Sequence, residues 1–206
     1  MVFSPIEVNT YILGDDSGDC IIIDCGCFTG REFEKLEALL SANCLNPLLL
    51  LNTHCHLDHV FGSHFLLSKY GILPRYNELE EENRKNVPVH SAKWGLNVGE
   101  PPAAGSFIIH GEIITLGRIS LKALFVPGHT AGSLAFYSEA DGCVFTGDAL
   151  FAGSIGRTDL PGGNFETLIS SIRENLLNLP PGTVVYSGHG PETTIEREMR
   201  SNPYLI

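Results

Sequence analysis

Basic side chains are scarce in this sequence. Thirteen Lys and Arg stand against 24 Asp and Glu, a formal net charge of −11 over 206 residues. A chain so charged repels phosphate backbones and anionic lipid, which argues against nucleic-acid and membrane partners. Long apolar runs are missing as well: none approaches the roughly 20 residues that a bilayer crossing needs. The opening Met1-Val2-Phe3-Ser4-Pro5 has neither the basic nor the long apolar region of an export signal, so the expected location is the cytoplasm. Cys20, Cys25, Cys27, Cys44, Cys55 and Cys143 show no paired Cys-x-x-Cys spacing, which removes the usual structural zinc motifs. With 43% hydrophobic residues the chain can bury a core without disulfide staples, and reduced, mostly buried thiols are expected. The same content excludes extensive disorder, and the length fits a single domain spanning residues 1–206.

Apolar runs at Tyr11 to Leu13 and Cys20 to Asp24 flank Gly14-Asp15-Asp16-Ser17-Gly18-Asp19, the chemistry of a hairpin loop. Thr29-Gly30-Arg31-Glu32 matches a capping box, and Phe33, Leu36, Leu39 and Leu40 recur at helical spacing, predicting a helix to about Ala42. Leu48 to Leu51 reads as a strand buried on both faces that runs into Thr53-His54-Cys55-His56. A helix is expected from Gly62 to Tyr70, then a short strand at Ile72 and Leu73. A charged helix with Glu78, Glu80, Glu81, Glu82, Arg84 and Lys85 follows, its charges read as a solvated face. Pro88 to Gly105, with the only Trp, reads as a long irregular loop.

Strand-like segments follow at Glu112 to Leu116, Ser120 to Val126, Ser133 to Tyr137 and Cys143 to Thr146. A helix around Phe165 to Leu177, a strand at Val184 to Tyr186 and a last helix from Glu192 to Arg200 complete the chain. Alternating strands and helices indicate an α/β or α+β domain with two sheets covered by helices.

Five of the eight histidines share one local grammar, an apolar strand ending in a small-residue turn that presents His or Asp. They are His54, His56 and His59, with Asp58; His129 in Val126-Pro127-Gly128-His129; and His189 in Ser187-Gly188-His189, while Gly147-Asp148 adds a carboxylate. In an extended segment side chains at i and i+2 point the same way, so His54 and His56 can reach one metal ion. Asp58 and His59 emerge in the following turn, displaced towards a second. His129 can complete the first set, His189 the second, and Asp148 has two oxygens with which to bridge them. A lone His-x-His is commonly packed or solvated; seven such residues in this order point to metal. His64, His90 and His110 lack the strand-end context and are read as ordinary histidines.

Thr53-His54-Cys55-His56-Leu57-Asp58-His59, followed by His129, Asp148 and His189, resembles the signature of the metallo-β-lactamase superfamily. The resemblance covers nearly the whole chain. It implies a four-layer αβ/βα sandwich of two mixed β-sheets flanked by helices, a seven-residue ligand set, and a supporting role for Asp24 behind the ligand loop. Within the superfamily, Gly153-Ser154-Ile155-Gly156-Arg157-Thr158-Asp159 and Gly188-His189-Gly190-Pro191-Glu192 resemble short bacterial glyoxalase II-type hydrolases. There the position matching Arg157 is basic and holds a carboxylate of the glutathione moiety. Full-length glyoxalase II enzymes carry a helical substrate domain after the last metal His, and none is expected here.

The expected function is a thioesterase that cleaves an S-2-hydroxyacylglutathione. Two divalent ions, zinc first and iron or manganese next, would hold a bridging hydroxide oriented by Asp58. A thiolate leaving group, with a pKa near ~8.5, needs little protonation, so no separate general acid is required. One rival is a persulfide dioxygenase with a single iron held by His54 or His56, His129 and Asp148. A secreted β-lactamase is disfavoured by the missing export signal and by Asp rather than Cys at position 148. A non-catalytic module whose metal only stabilises the fold is disfavoured by so complete a ligand set.

Overall fold

The computed structural model describes residues 1–206. The chain divides into two compact units, Met1–Phe107 with Leu116–Ile119, and Ile108–Thr115 with Ser120–Ile206.

The first unit begins with a short antiparallel ribbon of β1 (Val2–Phe3) and β2 (Val8–Asn9). Its main sheet has five strands in sequence order: β3 (Tyr11–Gly14), β4 (Asp19–Ile23), β5 (Asn46–Leu51), β6 (Pro74–Tyr76) and β7 (Ser106–Phe107). β3 and β4 form the expected antiparallel hairpin, and β4 to β7 run parallel. Helix α1 (Gly30–Ala42) begins at the predicted capping box: the Thr29 hydroxyl accepts from Glu32 N–H, and the Glu32 carboxylate accepts from Thr29 N–H. Its stripe of Phe33, Leu36 and Leu40 is buried with Cys20, Ile22, Leu50 and Leu66, each large side chain contributing roughly 1.5–3 kcal/mol. Helices α2 (Leu57–Val60) and α3 (Ser63–Tyr70) follow β5, and Gly71 ends α3 in the left-handed region.

Four expectations need correction in this unit. β5 buries Leu50 and Leu51 but leaves Leu48 43% exposed, so its start is not covered on both faces. The strand after α3 is Pro74–Tyr76, two residues beyond Ile72 and Leu73; Pro74 heads it, where a missing N–H is tolerated. The charged helix is α4 (Glu81–Lys93), which continues through Pro88 and absorbs the first part of the supposed loop. Tertiary anchors outweigh the proline there, because Val87 packs with Cys55, Val60 and Tyr76 and Arg84 is pinned by Glu81, Glu100 and the Pro101 carbonyl. The charge run is therefore not simply a solvated face: Glu80 and Arg84 are buried.

The second unit is built on a six-stranded sheet whose order is β15, β14, β11, β10, β9, β8. These strands are β8 (Ile113–Leu116), β9 (Ile119–Phe125), β10 (Leu134–Ser138), β11 (Cys143–Gly147), β14 (Val184–Ser187) and β15 (Thr193–Thr194). A ribbon of β12 (Leu150–Phe151) and β13 (Ser154–Ile155) follows β11. Helix α5 (Phe165–Asn175) is capped by Asn164 and lies between that ribbon and β14 in the chain. Along β9, buried Leu121 and Ala123 alternate with exposed Ser120 and Lys122, whereas β10 and β11 are buried throughout. α5 lays Leu168 and Ile172 into a core with Val126, Val144 and Val185. The last helix, α6 (Ile195–Ser201), is held by the buried Glu198, which accepts from Gly153 N–H, the Thr193 hydroxyl and the Asn202 amide.

Strand direction places the functional loops. β9 is antiparallel to β10 and β10 to β11, while β14 is parallel to β11. β9, β11 and β14 therefore all point the same way, and the loops that follow them, with His129, Asp148 and His189, share one end of the sheet. All six cysteines are free, and only Cys44 is exposed. No helix is long and apolar enough to cross a membrane.

Candidate metal centre

In the first unit β5 delivers the chain to Thr53, His54, Cys55 and His56, and β4, its parallel neighbour, ends beside it at Asp24. The buried Asp24 carboxylate accepts from Thr53 N–H at 2.8 Å, the Thr53 hydroxyl at 2.6 Å and His59 Nδ1–H at 2.9 Å. Asp24 itself lies in the left-handed region, with φ of 53°, which Asp tolerates better than most residues. Because a carboxylate can only accept, His59 carries its proton on Nδ1 and its lone pair on Nε2. That Nε2 lies 3.7 Å from Asp58 Oδ2. The Thr53 hydroxyl gives its proton to Asp24 and so accepts from His54 Nδ1 at 3.1 Å, leaving His54 Nε2 to face His56 Nδ1 at 3.1 Å. Two imidazole lone pairs that close repel unless a proton or a cation lies between them.

Cys55, between the two histidines, is not part of this donor set. Its thiol is buried against Val60, Tyr76 and Val87. Burial first, and then the charges of Glu80 and Asp24, push its pKa well up, so it stays a protonated packing group.

In the second unit His129 and His189 both aim Nε2 at the same oxygen, Asp148 Oδ2, each at 3.7 Å. His129 Nδ1 donates to the Arg157 carbonyl at 2.8 Å, which fixes the tautomer with the lone pair on Nε2. Two glycines permit this packing. A side chain at Gly128, where φ is 124°, would overlap the Leu168 backbone, with a Cβ only 2.3 Å from Leu168 N. At Gly156 a Cβ would fall 1.8 Å from the Asp148 carbonyl oxygen and 3.1 Å from His129 Nδ1.

The donor chemistry fits divalent metal. Separations of 3.7 Å are too long for hydrogen bonds but near the ~3.4 Å between two ligands of one tetrahedral ion with bonds of about 2.1 Å. Imidazole nitrogens and carboxylate oxygens suit zinc, iron or manganese. Each of His54, His56, Asp58, His59, His129, Asp148 and His189 belongs to a His/Asp group compact enough to hold an ion. Within the first unit the structure brings together the first four with Asp24, and within the second unit the remaining three.

Arg157 is placed less simply. Its exposed guanidinium forms a bidentate pair with Asp159, both bonds at 2.8 Å, while its carbonyl orients His129. The pair holds the Asp159 carboxyl at about 2. His64 Nε2 is satisfied by the Glu100 carbonyl, and His110 Nδ1 accepts from Phe125 N–H, as ordinary histidines. Sequence reasoning missed the Arg157 carbonyl, Gly156 and Glu80. The last accepts the Cys55 N–H at 2.8 Å through Oε2, and nothing in a run of acidic residues singles it out.

Comparison with known proteins agrees with this chemistry. Residues 4–189 match the family model of the metallo-beta-lactamase superfamily. The chain is 39% identical to a probable metallo-hydrolase, YqgX, of Bacillus subtilis, covering all of this chain and 95% of the relative. It is also 39% identical to the hydroxyacylglutathione hydrolase GloC of Haemophilus influenzae, over 98% of this chain and 94% of that protein. Among solved structures, TTHA1623 in a di-iron-bound form superposes with a TM-score of 0.89 at 36% identity, covering 100% of this chain and 98% of that one. The chain thus belongs to the metallo-β-lactamase superfamily, has its mixed α/β fold, and is a metal-dependent hydrolase.

Proposed function

We propose that this hydrolase is a thioesterase of the glyoxalase II type, cleaving an S-2-hydroxyacylglutathione to a hydroxy acid and glutathione, and that His54, His56, Asp58, His59, His129, Asp148 and His189 together hold two divalent ions. The observation that carries the reading is Asp148: one carboxylate oxygen meets two imidazole nitrogens from two different loops, each at 3.7 Å. Such separations suit ligands around a shared cation rather than a hydrogen-bonded pair, and they support a bridging role for Asp148, whose second oxygen would take a further ion in this reading. Ions in such a centre bring the pKa of water from about 15.7 to about 7 and polarise a substrate carbonyl. Zinc is the expected metal; the di-iron form of TTHA1623 makes iron the first alternative, ahead of manganese.

The chain's own groups prepare the reaction. Asp24 and the Arg157 carbonyl hold His59 and His129 in the tautomers that present Nε2, so no proton has to be displaced from those nitrogens when a cation binds. Asp58, whose Oδ2 lies 3.7 Å from His59 Nε2, would accept a proton from attacking water and orient it. The leaving thiolate departs without an acid because its pKa is near ~8.5. Arg157 reads a substrate carboxylate with the same planar fork it now applies to Asp159, displacing that exposed partner. On a chain of net charge −11, an arginine there gives an anionic conjugate one favourable place to dock. The GloC relative's hydroxyacylglutathione hydrolase activity supports the choice of substrate. A cytoplasmic location and a single small-molecule partner belong to the same reading.

The test is anaerobic release of free thiol from S-lactoylglutathione by the metal-loaded protein. Thiol release without oxygen is the expected result. Oxygen uptake on glutathione persulfide, or opening of a β-lactam ring, with no thioester turnover, would overturn it.

A further inference from the structure

One buried acid behind the first unit's histidines takes no part in the donor set. Glu80 is completely buried. Its Oε2 accepts the Cys55 N–H at 2.8 Å and the Asn83 side-chain amide at 2.9 Å. Cys55 is the residue between His54 and His56, whose facing nitrogens are 3.1 Å apart. Any rotation about the Cys55 backbone dihedrals would turn one imidazole relative to the other, because His54 and His56 lie on either side of them in the chain. A neutral acceptor could satisfy one buried N–H. A carboxylate here bears a larger desolvation cost, and in return it makes a stronger, charge-assisted bond.

We propose that Glu80 is a positioning residue for the His54 and His56 pair, clamping the backbone between them for a divalent cation. This rests on the metal-centre reading given above. The clamp is itself braced. Glu80 leads into α4, where Arg84 binds Glu81 through Nε and Nη2, at 3.0 and 3.1 Å, and reaches Glu100 and the Pro101 carbonyl at 2.8 and 2.7 Å. The Tyr76 hydroxyl donates to Glu81 and accepts the Ala104 N–H. Residues 100–104 are thereby tied to the helix that carries Glu80, so this part of the former loop belongs to the brace.

The experiment compares the wild type with Glu80→Gln, which keeps the shape and an acceptor oxygen, and with Glu80→Ala. Metal-free protein is titrated with Zn2+ and with Co2+ against a competing chelator, and the cobalt absorption spectrum is recorded. Expected is a loss of affinity of about threefold or more for Glu80→Gln and about 10–100-fold for Glu80→Ala, with an altered cobalt spectrum. Melting of the metal-free proteins is measured alongside, with Leu40→Ala as a destabilised variant remote from the cluster. Affinity loss beyond that of a control with equal or greater destabilisation supports positioning. Glu80→Gln binding within twofold of wild type, or a loss no larger than the control's, overturns it whatever Glu80→Ala does. A wild type that binds neither metal would instead sink the metal-centre reading.

Discussion

Replacing Asp24 with Asn separates support of the fold from support of the metal ligands. The native carboxylate accepts three short hydrogen bonds, from Thr53 N–H, the Thr53 hydroxyl and His59 Nδ1–H. Asn keeps its one oxygen at the Oδ1 position, where it accepts from Thr53 N–H and the Asn52 amide, and tolerates the positive φ of 53° that position 24 adopts. Its NH2 group then takes the Oδ2 position, where it faces both the Thr53 hydroxyl, which can turn to accept, and His59 Nδ1–H, donor against donor. Leaving that conflict in a buried site costs about 1–3 kcal/mol. His59 escapes by moving its proton to Nε2, so that Nδ1 accepts from the introduced amide while the lone pair needed for metal is hidden. Asp24→Asn is therefore expected to lower metal-free stability by only about 1–2 kcal/mol, measured by urea unfolding, and metal affinity by about 10–100-fold, measured by chelator competition. An affinity within twofold of wild type would refute the tautomer argument. So would a stability loss above about 4 kcal/mol with affinity unchanged, which would make Asp24 a purely structural anchor.

Three further outcomes follow from other parts of the molecule. Gly156→Ala pushes a methyl into the Asp148 carbonyl and towards His129 Nδ1, so activity is expected to fall at least about tenfold, with a melting point lowered by several degrees; wild-type kcat would count against that packing. Arg157→Ala is expected to raise KM for a glutathione thioester with kcat nearly unchanged, and Asp159→Ala to lower KM by freeing the guanidinium; steady-state kinetics that show neither change would remove Arg157 from substrate binding. Glu81 is held at about 2, chiefly by its hydrogen bond with Arg84, below its ordinary value near 4.5. Its stabilisation is thus complete above pH ~4.5 and lost as pH falls towards ~2. Wild type should lose up to roughly 3 kcal/mol more than Glu81→Gln across that window, less whatever solvent screening removes; parallel pH–stability curves would contradict this.

Much of the centre was legible because strand ends leave strong local marks. An apolar run that stops at a small residue and then presents His or Asp can be read directly, and His129, Asp148 and His189 follow β9, β11 and β14, which share one direction. The capping box at Thr29 and Glu32 was equally readable, since the whole motif lies within four residues. Long-range partners were not. Pro88 suggested a helix end, but Val87 and Arg84 are held by distant groups that keep α4 going. Glu80 stands in a run of acids that looks solvated, and only the fold shows it reaching the Cys55 backbone 25 residues away. The Arg157 carbonyl has no sequence signature at all, because every residue possesses one.

Counting the metal ions held per chain probes the proposed two-ion centre without relying on any substrate. Protein reconstituted anaerobically with zinc or iron and freed of excess metal should contain close to two equivalents by elemental mass spectrometry, falling to one or fewer in Asp148→Ala. A wild type that saturates at one ion, or an Asp148→Ala variant that still holds two, would contradict the shared centre.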